Sequence, residues 1–397
     1  MLVLNYILIL LSLVLLMPVM VLFIQVLFAV IAKNSSTSVE SSSNDRPSVG
    51  VLVPAHNEEH GLAKTLRAIL PQLNVKDQLV VIADNCDDKT AEVAKSFGAI
   101  TLERFNQVER GKGFALDFGM QHLKLNPPEV VIIVDADCEI ESNLIETVSQ
   151  LCVSLQRPIQ ANYIMQFPSK AGLKQQITEF AWIVKNTVRP LGYQFVGLPC
   201  QLMGTGMAFL WKDLSQCNLA SGHLVEDMKL GLDLASIGSS PVYCPGTNVR
   251  SYFPTSEEGQ ASQRARWEHG HLGVIVGEAP KYMLKAISEF NVKLFAQVLD
   301  LMVPPLALIF IMSVSFWLIA LGFWVYTSYA IPLVIFSAIL TILFFGILYA
   351  WFSFGRQIIT LRSLMIAPLV LLMKIPLYIK FIISRQVDWV RSKRDHQ

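Results

Sequence analysis

The apolar residues of this chain are concentrated at its two ends. Residues 2–32 are almost without charge and exceed the ~20 residues that a helix needs to cross a bilayer. Residues 302–326 and 331–353 are apolar runs of similar character. The pattern predicts an N-terminal transmembrane helix within 1–32 and two more within 301–353. A cleaved signal peptide is disfavoured, since there is no basic n-region and the apolar run is too long.

The remaining boundaries follow from smaller changes in composition. Residues 33–48 are rich in Ser, Asn and Thr and are typical of a flexible linker. Residues 281–300 alternate apolar and charged positions at helical spacing, which indicates an amphipathic interface helix. Residues 354–397 contain a basic loop, an apolar run at 364–384 and a basic tail.

Positive charge near the ends of the segments predicts their orientation. Cytosolic loops carry an excess of Lys and Arg, so the loop at 354–363 and the tail are both expected in the cytosol. A full span at 364–384 would place one of them outside. We therefore predict that 364–384 lies in the interface or re-enters, leaving three spans; four spans is the competing count.

Residues 49–280 have the composition of a soluble domain with alternating strands and helices. Unbroken apolar runs, typical of strands buried on both faces, alternate with helical periodicity. Four such runs are expected to be strands, at residues 49–54, 79–83, 100–102 and 130–134. This alternation predicts an α/β fold with a doubly wound, mostly parallel sheet.

Polar residues follow three of these predicted strands. They are Glu58 after Pro54, Asp84 after the second strand, and Asp135 with Asp137 after the fourth. Ligands of open α/β sheets bind beyond the carboxyl ends of the strands, and paired carboxylates suit a hard divalent cation. A solvated turn is the alternative, because Asp is common at strand ends.

Further candidates are weak one at a time. Lys112 lies between two glycines in a basic turn that lacks the spacing of dinucleotide and P-loop motifs. The loop of Gly204, Thr205 and Gly206 would let a ligand approach the backbone. Acids at the start of a helix (Glu226, Asp227) and a basic helical turn with one Trp (Gln263, Arg266, Trp267) have structural explanations as well.

Composition narrows the class of protein. Hydrophobic residues make up 53% of the chain and charged residues only 16%, which is too apolar for a purely soluble protein. A net charge of +1 gives no indication of a nucleic-acid partner. The six cysteines form no CxxC pair and have no His at ligand spacing, so neither zinc nor disulfides are expected.

The order of the motifs is more specific than any one of them. Asp84, then Asp135-Ala136-Asp137, then Glu226-Asp227, then Gln263-x-x-Arg266-Trp267, with membrane segments on both sides, resembles the bacterial membrane-embedded family-2 glycosyltransferases. That group includes cellulose, chitin, hyaluronan and poly-N-acetylglucosamine synthases. The resemblance covers residues 48–270 and implies a GT-A-like fold for the domain at 49–280.

The resemblance also implies a role for each motif. Asp84, Pro54 and Glu58 would contact the nucleoside of a UDP-sugar, and Asp135 and Asp137 would hold Mg²⁺ or Mn²⁺ on its diphosphate. Asp227 would be the general base. The other positions would bind substrate: Lys112, Gly204, Thr205, Gly206, Glu226, Gln263, Arg266 and Trp267. At the second strand the usual double Asp is replaced by Ala83-Asp84-Asn85.

The expected activity is inverting transfer of a sugar from a UDP-sugar to a growing polysaccharide or a saccharide acceptor, forming a β-linkage. The expected place is the cytosolic face of a bacterial inner membrane, with the lipid bilayer as a partner. The alternative is transfer to a membrane lipid such as diacylglycerol, ceramide or polyprenyl phosphate. An inactive membrane scaffold is the third possibility. Export or polymerisation partners stay open.

Overall fold

The structure, a computed structural model, describes residues 2–34, 46–168 and 171–383. The chain divides into two compact units. Among the described residues, the helical unit comprises 2–34, 171–197 and 298–383, and the sheet unit comprises 46–168 and 198–297. Most of the predicted linker and the basic C-terminal tail lie outside the described residues.

The sheet unit contains one eight-stranded mixed sheet. Its strands are β1 Val49–Ala55, β2 Gln78–Asp84, β3 Ile100–Arg104, β4 Val130–Ile133, β5 Glu139–Ile140, β6 Ile159–Gln166, β7 Met207–Leu210 and β8 Val242–Tyr252. Their order across the sheet is β3-β2-β1-β4-β7-β6-β8-β5. The predicted α/β fold is confirmed.

The sheet is parallel throughout only in the half formed by β3, β2, β1 and β4. Strands β3, β2, β1 and β4 are parallel to their neighbours. Strand β7 runs antiparallel to both β4 and β6, β8 is parallel to β6, and the short β5 is antiparallel to β8. The reversal at β7 departs from a simple doubly wound sheet and brings the start of β7 beside the end of β4.

The helices, in chain order, account for most of the remaining residues. They are α1 Leu2–Asn34, α2 Leu62–Ile69, α3 Thr90–Ser96, α4 Lys112–Leu123, α5 Leu144–Leu155, α6 Leu173–Ile183, α7 Arg189–Phe195, α8 Trp211–Leu214, α9 Glu226–Ser236, α10 Glu257–Gly277, α11 Ala279–Ser288, α12 Val292–Leu301, α13 Leu306–Thr327, α14 Ile331–Ala350, α15 Leu361–Leu372 and α16 Ile375–Ile383. Short π-helical turns follow α6, at Val184–Val188, and α14, at Trp351–Gly355.

The core of the sheet unit explains why its central strands are unbroken apolar runs. All four residues of β4 are fully buried, as are most of those of β1 and β2. Helix α4 packs closely on this sheet, since a Cβ at Gly119 would lie 2.9 Å from the Ile82 side chain. Burial on both faces fixes the strands, so their carboxyl ends are held at one edge.

The predicted single amphipathic helix at 281–300 is wrong in one respect. The structure divides it into α11 and α12, because Phe290 adopts a left-handed conformation with φ of 52°. Side chains hold α11 and the turn against α9: the Tyr282 hydroxyl donates to Asp233, and Asn291 Nδ2 donates to the Ala235 carbonyl at 3.0 Å. The other side stays exposed and is apolar, with Leu284, Ile287, Phe290 and Val292.

Four segments of the described chain are long and apolar enough to cross a membrane. They are Leu2–Asn34, Leu306–Thr327, Ile331–Gly355 and Leu361–Ile383. The first three match the predicted spans. The fourth is the run expected in the interface, and it consists of two shorter helices, α15 and α16. Its length and composition permit a fourth span, while the count of three and the orientation remain predictions.

A buried polar cluster joins three parts of the helical unit. Arg189 at the start of α7 donates from Nη2 to Asp300 Oδ1 at 2.6 Å and from Nε to Gln25 Oε1 at 3.1 Å. Gln25 of α1 in turn donates to Asp300 Oδ1 at 2.6 Å. All three residues are buried. Gly192 permits this contact, because a Cβ there would lie 1.9 Å from the Gln25 carbonyl oxygen.

Removing one charge of this cluster should be strongly destabilising. Asp300→Ala leaves the Arg189 guanidinium buried without its counter-charge, so we expect a loss of about 3–5 kcal/mol in the free energy of unfolding. Thermal unfolding of the full chain in detergent measures the effect. The double variant Arg189→Met, Asp300→Leu should regain most of the stability.

The matched control is the exposed Lys285–Glu289 pair, whose charged atoms are 3.9 Å apart. Glu289→Ala should cost less than about 1 kcal/mol, as is usual for surface ion pairs. Equal losses in Asp300→Ala and Glu289→Ala would contradict a stabilising role for the buried cluster.

Candidate active site

The first group of predicted site residues lies at the ends of β1 and β2. Pro54 is inside β1, opposite Ile82 of β2, and the strand ends at Ala55, one residue beyond the predicted end. Glu58 follows in a loop whose backbone is anchored, since its N–H donates to Thr90 Oγ1 at 2.7 Å. The structure therefore places both predicted residues at the edge where Asp84 ends β2.

Asp84 is buried and is oriented by a residue that the sequence did not single out. Arg104, at the end of β3, donates from Nη1 to Asp84 Oδ1 at 2.8 Å. Asn85 Nδ2 donates to the same oxygen at 3.1 Å. Register explains the first contact, because Arg104 lies directly opposite Asp84 in the parallel pair. A buried, oriented carboxylate at a strand end can accept a hydrogen bond from a base or ribose.

The two carboxylates beyond β4 form the candidate metal centre. One oxygen each from Asp135 and Asp137, together with the Cys138 sulfur, lie within 4.8 Å of one another and could hold a metal ion. Burial, followed by the charges of Asp137 and Asp135, raises the pKa of the Cys138 thiol well above its usual value, so the thiol keeps its proton. The two carboxylates are the hard oxygen donors of this cluster, and donors of that kind suit Mg²⁺ or Mn²⁺.

Three predicted site residues, Lys112, Asp135 and Asp227, lie close to the loop at Gly204. Its backbone is left-handed at Gly204 and Gly206, with φ of 90° and 64°. A Cβ at Gly204 would lie 3.5 Å from both Lys112 Nζ and Asp227 Oδ2, and 4.0 Å from Asp135 Oδ2. Three side chains that are far apart in sequence thus surround one glycine, and a larger residue there would press on all three.

Lys112 is the cation of this group. At the start of α4, its ammonium lies 2.5 Å from Asp135 Oδ1 and 3.7 Å from Glu226 Oε1, and it donates to the Gly204 carbonyl at 2.7 Å. Burial acts to lower its pKa, but the charges of Asp135, Glu226 and Asp227 outweigh it and raise the pKa. Lys112 therefore stays protonated.

Glu226 and Asp227 are the first two residues of α9, where the helix dipole favours negative charge. Burial is the largest influence on Glu226 and raises its pKa to about 7. Lys112 opposes this shift, while the charges of Asp227 and Asp135 add to it. One of the two acids therefore changes its protonation state near neutral pH.

Helix α10 carries the three residues Gln263, Arg266 and Trp267. Gln263 is buried, and the other two are partly exposed. Trp267 is four residues after Gln263, and Gly270 is seven residues after it. Gln263, Trp267 and Gly270 therefore lie on one face of the helix. A Cβ at Gly270 would lie 2.8 Å from Val225, the residue directly before Glu226. The packing of Gly270 thus brings this face of α10 to the start of α9.

Two buried polar residues that support the site were not identified from the sequence. Gln160 in β6 is fully buried; it donates from Nε2 to the Thr205 carbonyl at 2.9 Å and accepts from the Met203 N–H at 2.8 Å. Thr205 Oγ1 then accepts from the Asp135 N–H at 3.1 Å. Ser251 in β8 donates to Asp137 Oδ2 at 3.3 Å. The sequence offered no clear signal for Gln160, since β6 contains other polar residues such as Asn162.

Comparisons with known proteins identify the family and the fold. Residues 47–270 match the family model described as glycosyltransferase-like family 2, which is more than half of the chain. Among solved structures, the fold is similar to the mannosyltransferase PcManGT from Pyrobaculum calidifontis, determined with GDP-Man and Mn²⁺. The two share 16% identity and a TM-score of 0.57, with 95% of this chain and all of that chain covered.

Two curated relatives illustrate the range of the family. The 4,4'-diaponeurosporenoate glycosyltransferase of Staphylococcus haemolyticus is 31% identical over 24% of this chain and 25% of its own length. The probable glycosyltransferase YdaM of Bacillus subtilis is 24% identical over 58% of this chain and 56% of its own length. The chain thus spans about a quarter and about half of these proteins, and the match of residues 47–270 to the family model shows that it belongs to glycosyltransferase-like family 2.

Proposed function

We propose that this chain transfers a hexosyl group from a UDP-sugar to a saccharide acceptor, with inversion and formation of a β-linkage. One observation carries the proposal: Lys112, Asp135 and Asp227 surround Gly204 at the edge of the sheet where Asp84 and Asp137 also lie. A donor diphosphate needs cationic groups, and an acceptor hydroxyl needs a nearby base. Both kinds of group are within a few ångströms here.

The donor is bound in three parts in this proposal. Asp84 accepts a hydrogen bond from the uracil or ribose, with Pro54 and Glu58 beside it. Lys112 and Arg266 bind the diphosphate, and the small residues of the Gly204 loop allow the sugar to approach the backbone. Asp135 and Asp137 would hold Mg²⁺ or Mn²⁺, which supplies positive charge to the leaving diphosphate when bound.

The transfer step then needs one base and one leaving group. The Asp227 carboxylate takes the proton of the acceptor hydroxyl as that oxygen bonds to the anomeric carbon of the donor. The bond from the anomeric carbon to the diphosphate oxygen breaks, and its electron pair leaves with UDP. Attack from the face opposite the leaving group inverts the anomeric configuration. Lys112 stays protonated next to the departing negative charge and favours its departure.

Trp267 and Gln263 are proposed to receive the acceptor. An indole ring offers a flat apolar face for a sugar ring, and an amide offers a donor and an acceptor for its hydroxyls. Their placement on the face of α10 that contacts Val225 supports this role, because Glu226 and Asp227 come next in the chain.

A membrane lipid is the second candidate acceptor. The helices Leu306–Thr327, Ile331–Gly355 and Leu361–Ile383 follow the sheet unit in sequence, and only four candidate spans are found among the described residues. This number of transmembrane helices is small for lining a channel through which a polymer could pass. The staphylococcal relative is named for an acceptor, 4,4'-diaponeurosporenoate, that is not a saccharide.

An inactive scaffold is disfavoured, since clustered carboxylates are costly without a catalytic or binding role.

The membrane setting is part of the same proposal. We place the sheet unit at the cytosolic face of a bacterial inner membrane, with 281–300 in the interface. The exposed apolar side of α11 and its following turn supports this, because Leu284 and Phe290 are 69% and 90% exposed beside the exposed Lys281 and Lys293. Apolar side chains bordered by lysines are typical of a surface that lies on anionic lipid.

The metal role predicts a specific loss. Asp137→Ala should abolish Mn²⁺-dependent release of UDP from UDP-sugars, since it removes one of the two carboxylate ligands. Release of UDP by the full-length protein in detergent, with and without EDTA, measures this. The control is Asp117→Asn, an acid on α4 whose Oδ2 accepts a hydrogen bond from Gln121 of the same helix at 2.7 Å. Undiminished, EDTA-sensitive release by Asp137→Ala would refute the role.

The base role separates the two neighbouring acids. Asp227→Asn should keep UDP-sugar affinity within about twofold and reduce transfer by 10²–10⁴, roughly the contribution of a general base. Glu226→Gln should keep measurable transfer but lose any change in rate centred near pH 7, where the Glu226 carboxyl titrates. Binding and single-turnover transfer from pH 5 to pH 9 test both. Normal turnover by Asp227→Asn, with loss in Glu226→Gln, would assign the base to Glu226.

The pH dependence of the protein's stability tests the raised pKa of Glu226 independently of activity. The Glu226 pKa is raised, so its stabilising contribution is present at low pH and is lost as the pH rises through about 7. The Glu226→Gln protein should therefore be more resistant to thermal unfolding than the wild type at pH 8, with little difference at pH 5.

The acceptor can be identified directly. Sugar transferred from a radiolabelled UDP-sugar by the purified enzyme with membranes should appear in a solvent-insoluble saccharide. Label that extracts into chloroform–methanol would favour the lipid acceptor, and no transfer from any UDP-sugar would contradict the proposed donor. Parallel incubations with GDP-sugars test the nucleotide.

A further inference from the structure

Asp137 is held by a chain of two buried hydroxyl groups on the far half of the sheet. Ser251, in β8, donates its hydroxyl to Asp137 Oδ2 at 3.3 Å and is only 2% exposed. Tyr163, in β6, shares a side-chain hydrogen bond with Ser251 and is 7% exposed. The register of the parallel pair explains this contact: Ser251 lies opposite Met165, so Tyr163 is on the same face two residues away.

The direction of the hydrogen bonds follows from chemistry. A carboxylate can only accept, so the proton of Ser251 is committed to Asp137. The phenol of Tyr163 keeps its proton at neutral pH and therefore donates to Ser251 Oγ. The chain thus runs from Tyr163 to Ser251 to Asp137, and each buried polar group has its partner.

The other carboxylate oxygen faces the candidate metal centre. Asp137 Oδ1 lies 3.7 Å from the Cys138 sulfur, which belongs with Asp135 and Asp137 to the cluster that could hold a metal ion. A thiol is a weak donor, so this contact restrains Oδ1 little. The hydrogen bond from Ser251 to Oδ2 therefore restrains the rotation of the Asp137 carboxylate beside the candidate metal centre.

We propose that Ser251 and Tyr163 are positioning residues that orient Asp137 for a divalent cation. Neither residue touches substrate, and both act through the carboxylate. The inference rests on the proposed function, because it takes Asp137 as a ligand of the metal that the donor requires. Strand β8 thereby contributes to a site whose predicted residues come from the other half of the sheet and from α9 and α10.

The test measures the affinity of the full-length protein in detergent for Mn²⁺ alone. The electron paramagnetic resonance signal of the free ion is used to measure this binding. Groups that orient a metal ligand typically change metal affinity 10–100-fold, so Ser251→Ala should weaken Mn²⁺ binding by about 10-fold. Tyr163→Phe removes only the far hydroxyl and should weaken binding by about threefold. Ser251→Thr keeps the hydroxyl and should bind Mn²⁺ nearly as the wild type does.

The matched control is Ser149→Ala. Ser149 is equally buried, but its hydroxyl donates to the Glu146 carbonyl within α5, outside the site. This variant should bind Mn²⁺ as the wild type does. UDP affinity measured in EDTA should be the same in the wild type, Ser251→Ala and Ser149→Ala, because no metal is then involved.

The outcomes separate this inference from the proposed function. Wild-type affinity for Mn²⁺ no greater than that of Asp137→Ala would overturn the metal role and, with it, the positioning role. Wild-type binding that Ser251→Ala leaves unchanged would overturn the positioning role alone. A loss in Ser251→Ala that Tyr163→Phe does not share would remove Tyr163 from the chain of hydroxyls. A loss of UDP affinity in EDTA would show a general structural defect and would also overturn the inference.

Discussion

The balance of charge around Lys112 is the constraint on which the candidate site depends. One ammonium group lies 2.5 Å from Asp135 and 3.7 Å from Glu226, and the charge of the nearby Asp227 also acts on it. Two unit charges 4 Å apart interact by about 4 kcal/mol in the surroundings of a protein surface, so carboxylates this close repel strongly unless a cation separates them. The raised pKa of Glu226 reflects the same crowding, after burial.

The reversed strand β7 makes this cluster possible. Because β7 is antiparallel to β4, its first residue, Met207, lies opposite Ile133, the last residue of β4. The loop that precedes β7 therefore comes to the carboxyl end of β4, where Asp135 follows. A parallel β7 would have left that loop at the opposite edge of the sheet. Gln160 then fixes the loop through Met203 and Thr205, so the reversal and one buried amide together position the Gly204 carbonyl for Lys112.

The sequence predicted the parallel half of the sheet well, because strands buried on both faces have an unmistakable apolar pattern. It also predicted the acids at the strand ends and the start of α9. The sequence did not predict the direction of β7, because four consecutive apolar residues do not indicate whether a strand pairs parallel or antiparallel with its neighbours. The break at Phe290 was missed for a related reason: hydrophobic periodicity continues across it, and the left-handed turn is held by contacts with α9. Ser251 and Gln160 act through tertiary contacts that no local pattern encodes.

The site carries more negative than positive charge, and this excess has a consequence for ligand binding. The residues described around Gly204 and the candidate metal centre include the cation Lys112 and the acids Asp135, Asp137, Asp227 and Glu226, the last of which is charged above pH 7. A nucleotide diphosphate adds further negative charge, so one lysine leaves its approach repulsive. A bound divalent cation makes the electrostatic interaction between the site and the diphosphate attractive. Because a cation bound only by the folded state also stabilises it, the same ion would offset the repulsion that the carboxylates introduce. An acidic cluster of this kind is costly to a protein that binds no cation, which is why its chemistry fits a metal-assisted transferase better than a scaffold.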